Sequence, residues 1–129
     1  MVCITTIKLI NTVLIEFIMV WKGVILKESL EEESILKLIS IVEVKKDRYN
    51  FEVKEEIKEE FIHKAIKSVR SGFYIHLVKN KVMYVIFRNH MFKFSPGYPE
   101  LETAREYGNS IGIPSSQMPF EHLMNHPFD

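Results

Sequence analysis

Two histidines near the end of the sequence have the spacing of a metal-binding pair. His122 and His126 are four residues apart, which on a helix places both imidazoles on one side. Glu121 precedes His122 instead of following it, so the zinc-hydrolase motif HExxH is not formed, and Pro127 disfavours a helical His126. Because the neighbouring sequence offers no third ligand, we predict no bound metal and keep the pair only as a metal candidate.

Catalysis would have to be assembled from distant histidines. A hydrolase or metal enzyme could form if the fold brought His76 and His90 close to His122 and His126. The sequence contains no GxSxG, P-loop or dinucleotide-binding glycine pattern. We therefore predict no catalytic residue and no cofactor. Enzymatic activity stays open, and the sequence favours a non-enzymatic protein.

The stretch IFRNHMFKFS, residues 86–95, raises the question of whether its polar residues form a site or a turn. A two-residue turn at Asn89 and His90 places Phe87 on one face of a hairpin and Lys93 on the other. A three-residue turn would bury Lys93 among apolar side chains, which is costly for an unpaired charge. Asn and His also tolerate the positive φ of a type I′ turn. We therefore predict the two-residue turn.

This register gathers aromatic and cationic side chains on one face of a three-stranded meander, whose first two strands are joined by a predicted three-residue turn at residues 79–81. The face is too polar for a core and too apolar for bare solvent, and it suits an interface or a ligand platform. Its predicted binding residues are Tyr74, His76, Tyr84, Arg88 and Lys93. Whether the chain termini, a second copy or a ligand covers it stays open.

Nucleic-acid binding has less support. SGFYIHL, residues 71–77, resembles the strand motif that presents aromatics on RNA-recognition sheets, but Tyr74 stands where a small residue is expected. The 17 basic and 17 acidic residues give a net charge of +0, so no overall field attracts nucleic acid or an anionic membrane. Single-stranded nucleic acid on the predicted face is kept as an alternative partner.

The elements that position these residues alternate between strands and helices. Strand patterns occupy residues 20–27, 40–46, 49–53, 73–78, 82–87 and 91–95. The apolar stripe of residues 55–72 is the strongest helical pattern. Ser29 and Glu32 have capping-box spacing and predict a short helix to about Ile39, Pro99 opens another helix, and Gly23 indicates a bulge. This order predicts an α+β protein with a mainly antiparallel sheet, helices on one face, a ferredoxin-like β-α-β-β-α-β core and a β-β-α extension.

The first eighteen residues differ from the rest. They are apolar and β-branched, but Lys8, Asn11 and Glu16 interrupt them, so a membrane span of roughly twenty unbroken apolar residues is not predicted. They either form an element that packs on the domain or on a second copy, or Met19 is the natural start. We predict an N-terminal extension, residues 1–18, and a single α+β domain, residues 19–129.

Composition indicates an ordinary globular protein, with 47% apolar and 26% charged residues. Cys3 is the only cysteine, which excludes an internal disulfide and fits the reducing cytoplasm. Abundant Lys, Glu and Ile, with Gln117 as the sole glutamine, are typical of heat-loving prokaryotes.

Four blocks of the sequence, taken together, resemble small uncharacterised archaeal proteins. The blocks are WKGVILKESL, SGFYIHL, FRNHMFKFS and AREYGNSIGI. The resemblance covers Trp21 to about Leu123 and leaves out the first eighteen residues. It implies an α+β protein of unknown function, and it transfers no functional residue.

These observations predict a cytoplasmic, non-enzymatic module that self-associates or binds a protein partner through the predicted face. A small-ligand or single-stranded nucleic-acid binder on the same face is the alternative. A histidine-based hydrolase or metal enzyme is the second alternative.

Overall fold

The computed structural model describes residues 19–129, which form a six-stranded antiparallel sheet with the strand order β2-β3-β1-β4-β5-β6. The strands are β1 (Val20–Leu26), β2 (Ser40–Val44), β3 (Arg48–Lys54), β4 (Ile75–Lys79), β5 (Val82–Phe87) and β6 (His90–Phe94). The α-helices are α1 (Lys58–Ser68), α2 (Pro99–Ser110) and α3 (Phe120–Leu123). The predicted α+β class with an antiparallel sheet is confirmed. The prediction for residues 1–18 lies outside the described residues.

The first four strands have the order expected for a split βαβ core. β3 inserts between β1 and β2, and β4 pairs with the other edge of β1. β5 and β6 continue from β4 as an antiparallel meander, and α2 follows them along the chain. The extension therefore widens the sheet on the β4 side only, and β2 remains at the opposite end of the strand order.

The first predicted helix is replaced by two short 3-10 helices, at Lys27–Ser29 and Ser34–Leu38. Ser29 does not cap a helix: its hydroxyl donates to the carbonyl oxygen of Leu26, and its own carbonyl accepts from the amide of Arg70. Leu30 forms an isolated bridge with Val69. These backbone bonds hold the segment against the end of α1, and they override the local capping pattern.

The helix α1 covers one face of the sheet, as its apolar stripe predicts. Phe61 and Ala65 are completely buried against the central strands. The core on this side includes Trp21, Ile25, Phe51, Val53, Leu77 and Ile86.

The opposite face is covered by α2 and the segment that follows it. The prediction that the helices lie on one face is therefore wrong, because they cover both faces. The core on this side includes Val85, Phe87, Leu101, Met118, Phe120 and Leu123. The reason lies in the strands: residues 75–78 of β4 and 83–87 of β5 are buried throughout, and strands that are apolar on both sides need cover on both sides. Within residues 19–129, no helix is long and apolar enough to cross a bilayer.

The two turns of the meander differ from the prediction by one residue each. β4 and β5 are joined by the two-residue turn Asn80-Lys81, with φ of +50° and +63°, instead of a three-residue connection. β5 and β6 are joined at Arg88-Asn89, with φ of +65° at Asn89, instead of at Asn89-His90. His90 therefore belongs to β6, where it pairs with Phe87.

Candidate functional site

The predicted binding face is divided between the two sides of the sheet. Because the β4–β5 turn holds two residues, Tyr84 pairs with Leu77, and His76 pairs with Val85. Tyr84 therefore lies on the α1 side with Lys93, its partner in β6, whereas His76 lies on the α2 side. Tyr74 packs with the α2-side core, next to His76. The prediction that Tyr84 and Lys93 share a face is correct, and the prediction that all five residues form one surface is wrong.

Arg88 belongs to neither group, because it lies in the β5–β6 turn. Its Nη1 donates to a carboxylate oxygen of Glu31 at 2.6 Å and lies within 3.4 Å of the carbonyl oxygens of Lys67 and Val69. Arg88 thus joins the meander to the end of α1, which is a structural role.

Tyr84 and Lys93 belong to a stack of alternating amines and rings. Lys58 Nζ lies 5.0 Å from the ring centroids of both Trp21 and Tyr84, and it donates to the Tyr84 hydroxyl at 3.2 Å. Lys79 lies 5.0 Å from the Trp21 ring, and Lys93 lies 5.5 Å from the Tyr84 ring. Each amine gains cation–π attraction while its stem covers an aromatic face.

One carboxylate ties this stack together. Glu55 accepts from the Trp21 indole and from Lys79 at 3.0 Å, and it pairs with Lys58 at 3.6 Å. The indole hydrogen bond and the two lysines hold the pKa of Glu55 below its usual value, although burial opposes them. Burial lowers the pKa of Lys58, but the Tyr84 hydroxyl and nearby carboxylates outweigh it and raise that pKa. Both rings are buried, so this stack stabilises the fold and presents no open aromatic platform.

The two predicted residues on the other side, Tyr74 and His76, line a cavity of about 460 Å³. The cavity lies between β1, β3 and β4 and the chain that follows α2. Its walls include Val24, Leu26, Arg48, Phe73, Ile113 and Leu123. Its volume lies in the range of about 300–1,000 Å³ that is common for small-molecule sites.

Tyr74 connects the start of β4 to the segment after α2, which forms part of the cavity wall. Its hydroxyl donates to the carbonyl oxygen of Gln117 at 2.7 Å, and its ring meets Phe120 edge to face at 5.6 Å. Burial raises the pKa of Tyr74 to about 12, so the phenol is neutral at physiological pH.

His76 connects the sheet to the C-terminal residues. Its Nε2 lies 2.7 Å from the carbonyl oxygen of Pro127. Burial lowers the pKa of His76 from its usual 6.5 to about 4, and the bond to Pro127 only partly opposes this. The imidazole is therefore neutral at pH 7. Because a carbonyl can only accept, Nε2 carries the proton and Nδ1 is the acceptor.

Arg48 is the cavity residue that sequence reasoning missed. Its Nη1 donates to the backbone oxygen of Asp129 at 3.2 Å, and its Nε is shielded from solvent and has no hydrogen-bond partner within residues 19–129. The nearest carboxylate to that Nε belongs to Asp47, at 3.9 Å. The alternation along β3 predicts that Arg48 lies on the face of the sheet that Tyr49 and Phe51 do not share. Only the strand order shows that His76 lies on the same face as Arg48.

The four histidines of the enzyme hypothesis are not brought together. His122 and His126 stack at 4.6 Å, and His122 Nε2 lies 2.8 Å from Asp129 Oδ2. His76 contacts the backbone of Pro127, and the His90 ring packs at a tilt on Tyr107, with 4.5 Å between the ring centroids. Within residues 19–129, no group of three or more histidine, cysteine or acidic side chains could hold a metal ion.

Comparison with known proteins adds no identity, since no family model, curated protein or solved structure matches the chain. The resemblance to archaeal proteins stays a prediction.

Proposed function

We propose that this protein is a small-molecule-binding module and that its site is the cavity between the sheet and the chain that follows α2. The observation that carries the proposal is the composition of that cavity. Aliphatic and aromatic side chains line a volume of about 460 Å³ together with polar ones, among them Arg48, Tyr74 and His76. Ligand sites are commonly built this way, with an apolar surface for affinity and a few polar groups for orientation.

Binding is favoured over catalysis because Tyr74 and His76, the two cavity groups with the largest pKa shifts, are already engaged. The Tyr74 proton is donated to Gln117, and the Nε2 proton of His76 is donated to Pro127. A general acid or base needs a pKa near the working pH. The pKa values of about 12 for Tyr74 and about 4 for His76 lie far from neutrality. We also propose a cytoplasmic location, supported by the single cysteine of the sequence.

A fragment screen by ligand-observed NMR on the full chain tests this proposal. Ser116 lines the cavity, so Ser116→Trp is expected to fill its mouth and remove the binding of most hits. Ser110, an exposed serine at the end of α2, provides the control Ser110→Trp, which should leave binding unchanged. Hits that bind both variants equally well, or a screen without hits, would contradict the proposal.

Self-association is a second candidate function, and the exposed strand β2 favours it. All five of its residues are exposed, with Ile41, Val42 and Val44 at 42%, 53% and 60%. β2 ends the strand order, so its outer edge is unpaired within the described chain. The amide of Lys45 bonds inward to Arg48, and alternation therefore directs the backbone groups of Val44 outward.

A second copy of β2 suits this edge. Antiparallel pairing of two copies about Val44 places Glu43 of each copy opposite Lys45 of the other, a favourable cross-strand pair. Light scattering tests the idea: Val44→Lys should convert a dimer to a monomer. The control Met91→Lys, at an exposed position on the other edge strand, should not. A wild-type chain that is monomeric at all concentrations would exclude this candidate.

A further inference from the structure

We infer that the ligand of the cavity is an organic carboxylate with an apolar body and that the guanidinium group of Arg48 binds its carboxylate. This inference rests on the proposed function, and it names the class of molecule that the cavity takes.

The hydrogen-bonding state of Arg48 is the first argument. A guanidinium has five N–H donors, and those of Nη1 are the ones that meet an acceptor within the described chain, at Asp129. The Nε donor is out of reach of water and lacks a partner there. A carboxylate in the cavity can accept a hydrogen bond from Nη2, and a small rotation of the guanidinium that uncovers Nε gives it a second, parallel one.

The charge of Arg48 is the second argument. The Asp47 carboxylate lies 3.9 Å from its Nε, and the Asp47 side chain is 73% exposed, so water screens most of that attraction. The Arg48 side chain itself is only 29% exposed. An anion that pairs with Arg48 inside the cavity would be less screened by water than Asp47 is.

The other charges around the cavity set the charge of the ligand. Arg48 is its one cationic wall residue in the described chain, since His76 is neutral at pH 7. Glu28 and Asp129 also line the cavity and repel negative charge. Two carboxylates near one cation disfavour a phosphate ester or another dianion, so the ligand carries at most the single negative charge that pairs with Arg48.

The apolar part of the lining fits the rest of such a molecule. Val24, Leu26, Ile113 and Leu123 are aliphatic, and Phe73 and Tyr74 are aromatic. An aliphatic or aromatic body buries its surface against them, while its carboxylate reaches Arg48 on β3.

A matched pair of probes tests the inference. Benzoate and benzamide have nearly the same shape, but only benzoate carries the charge. Titration of the full chain with each, followed by NMR, should show benzoate binding about tenfold more tightly than benzamide, as charge-assisted hydrogen bonds require. Arg48→Met should remove this preference, whereas Arg70→Met, at an exposed arginine that does not line the cavity, should keep it.

The variants also separate the possible failures. If Arg48→Met does not fold, Arg48→Lys replaces it. A lysine keeps the charge but not the planar fork, so the preference for benzoate should fall without vanishing. Equal binding of benzoate and benzamide by the wild type, with both lost in Ser116→Trp, overturns the carboxylate inference and leaves the proposed function intact. A preference for benzoate that persists in Arg48→Met also overturns it.

Discussion

The Nε2 of His76 lies 2.7 Å from the carbonyl oxygen of Pro127, so a buried residue of β4 is bonded to the end of the segment that closes the cavity. The two residues are 51 positions apart in the sequence. The bond requires a proton on Nε2, and burial of the ring, which lowers the pKa of His76, keeps the imidazole neutral.

Stability should therefore fall as the pH is lowered through the range in which His76 titrates in the unfolded chain. Its pKa is about 4 when folded and about 6.5 when unfolded, so between these values the unfolded state binds the additional proton. The contribution of neutral His76 to the free energy of unfolding is complete above pH 6.5. It is lost as the pH falls towards 4, by about 3 kcal/mol in total. Urea denaturation at a series of pH values measures this loss.

His76→Gln provides the comparison, because the amide keeps a donor for Pro127 but does not titrate. The slope of the free energy of unfolding against pH reports how many protons are taken up on unfolding. Between pH 4 and 6.5 this number should be smaller in His76→Gln than in the wild type by nearly one. His63→Gln, at an exposed position of α1, should retain the wild-type slope. Equal slopes in wild type and His76→Gln would show that His76 does not titrate as proposed.

Tyr74→Phe should destabilise the protein by about 1 kcal/mol, because it removes one hydrogen bond between the sheet and residue Gln117. The ring and its contact with Phe120 are kept. Tyr98→Phe is the matched control, since Tyr98 is 59% exposed, and it should change the free energy of unfolding very little. Equal effects in the two variants, measured by urea denaturation, would mean that the Tyr74 hydroxyl contributes nothing to closing the cavity.

The sequence predicts those parts of the fold in which one face of an element is clearly polar. The stripe containing Phe61 and Ala65 predicts α1, and Lys93 alone fixes which face of β6 is buried. β5 gives no such signal, because residues 83–87 are apolar on both faces and a shift of one residue leaves the pattern unchanged. A lysine at φ of +63° is also an uncommon turn residue, so the sequence favours a three-residue connection over the Asn80-Lys81 turn that the structure has.

The candidate site could be predicted only in part for the same reason. Tyr74 and His76 belong to one strand region, and their neighbourhood follows from local sequence. Arg48 reaches the cavity because β1 lies between β3 and β4, and the chain that closes the cavity is tied to it by backbone oxygens of Gln117 and Pro127. Strand order and bonds to backbone atoms leave no residue-specific signal in the sequence.

Gly23→Ala should destabilise the protein by roughly 3 kcal/mol or more. The predicted bulge at Gly23 does not form, because Gly23 pairs regularly with Phe51 in β3. A methyl group there would overlap the backbone oxygen of His76 and lie 2.9 Å from the Phe51 ring. A backbone oxygen in a central strand cannot move aside easily. Ser40→Ala, at an exposed strand position, is the control in thermal unfolding, and a Gly23→Ala protein as stable as this control would contradict the predicted overlap.

Lys58→Met should disturb the stack around Trp21 while leaving its apolar packing in place. Methionine keeps the stem of Lys58 between the two rings, but it removes the cation and the donor to the Tyr84 hydroxyl. We expect a loss of about 1–3 kcal/mol, because a buried polar group is left without its partner. Trp21 is the only tryptophan, so its fluorescence reports directly on this site, and the emission should shift as the amine leaves the ring face.

Lys64→Met, at an exposed position of the same helix, should change neither the stability nor the emission spectrum. An unchanged emission spectrum together with unchanged stability in Lys58→Met would show that the stacked amine contributes nothing to the fold.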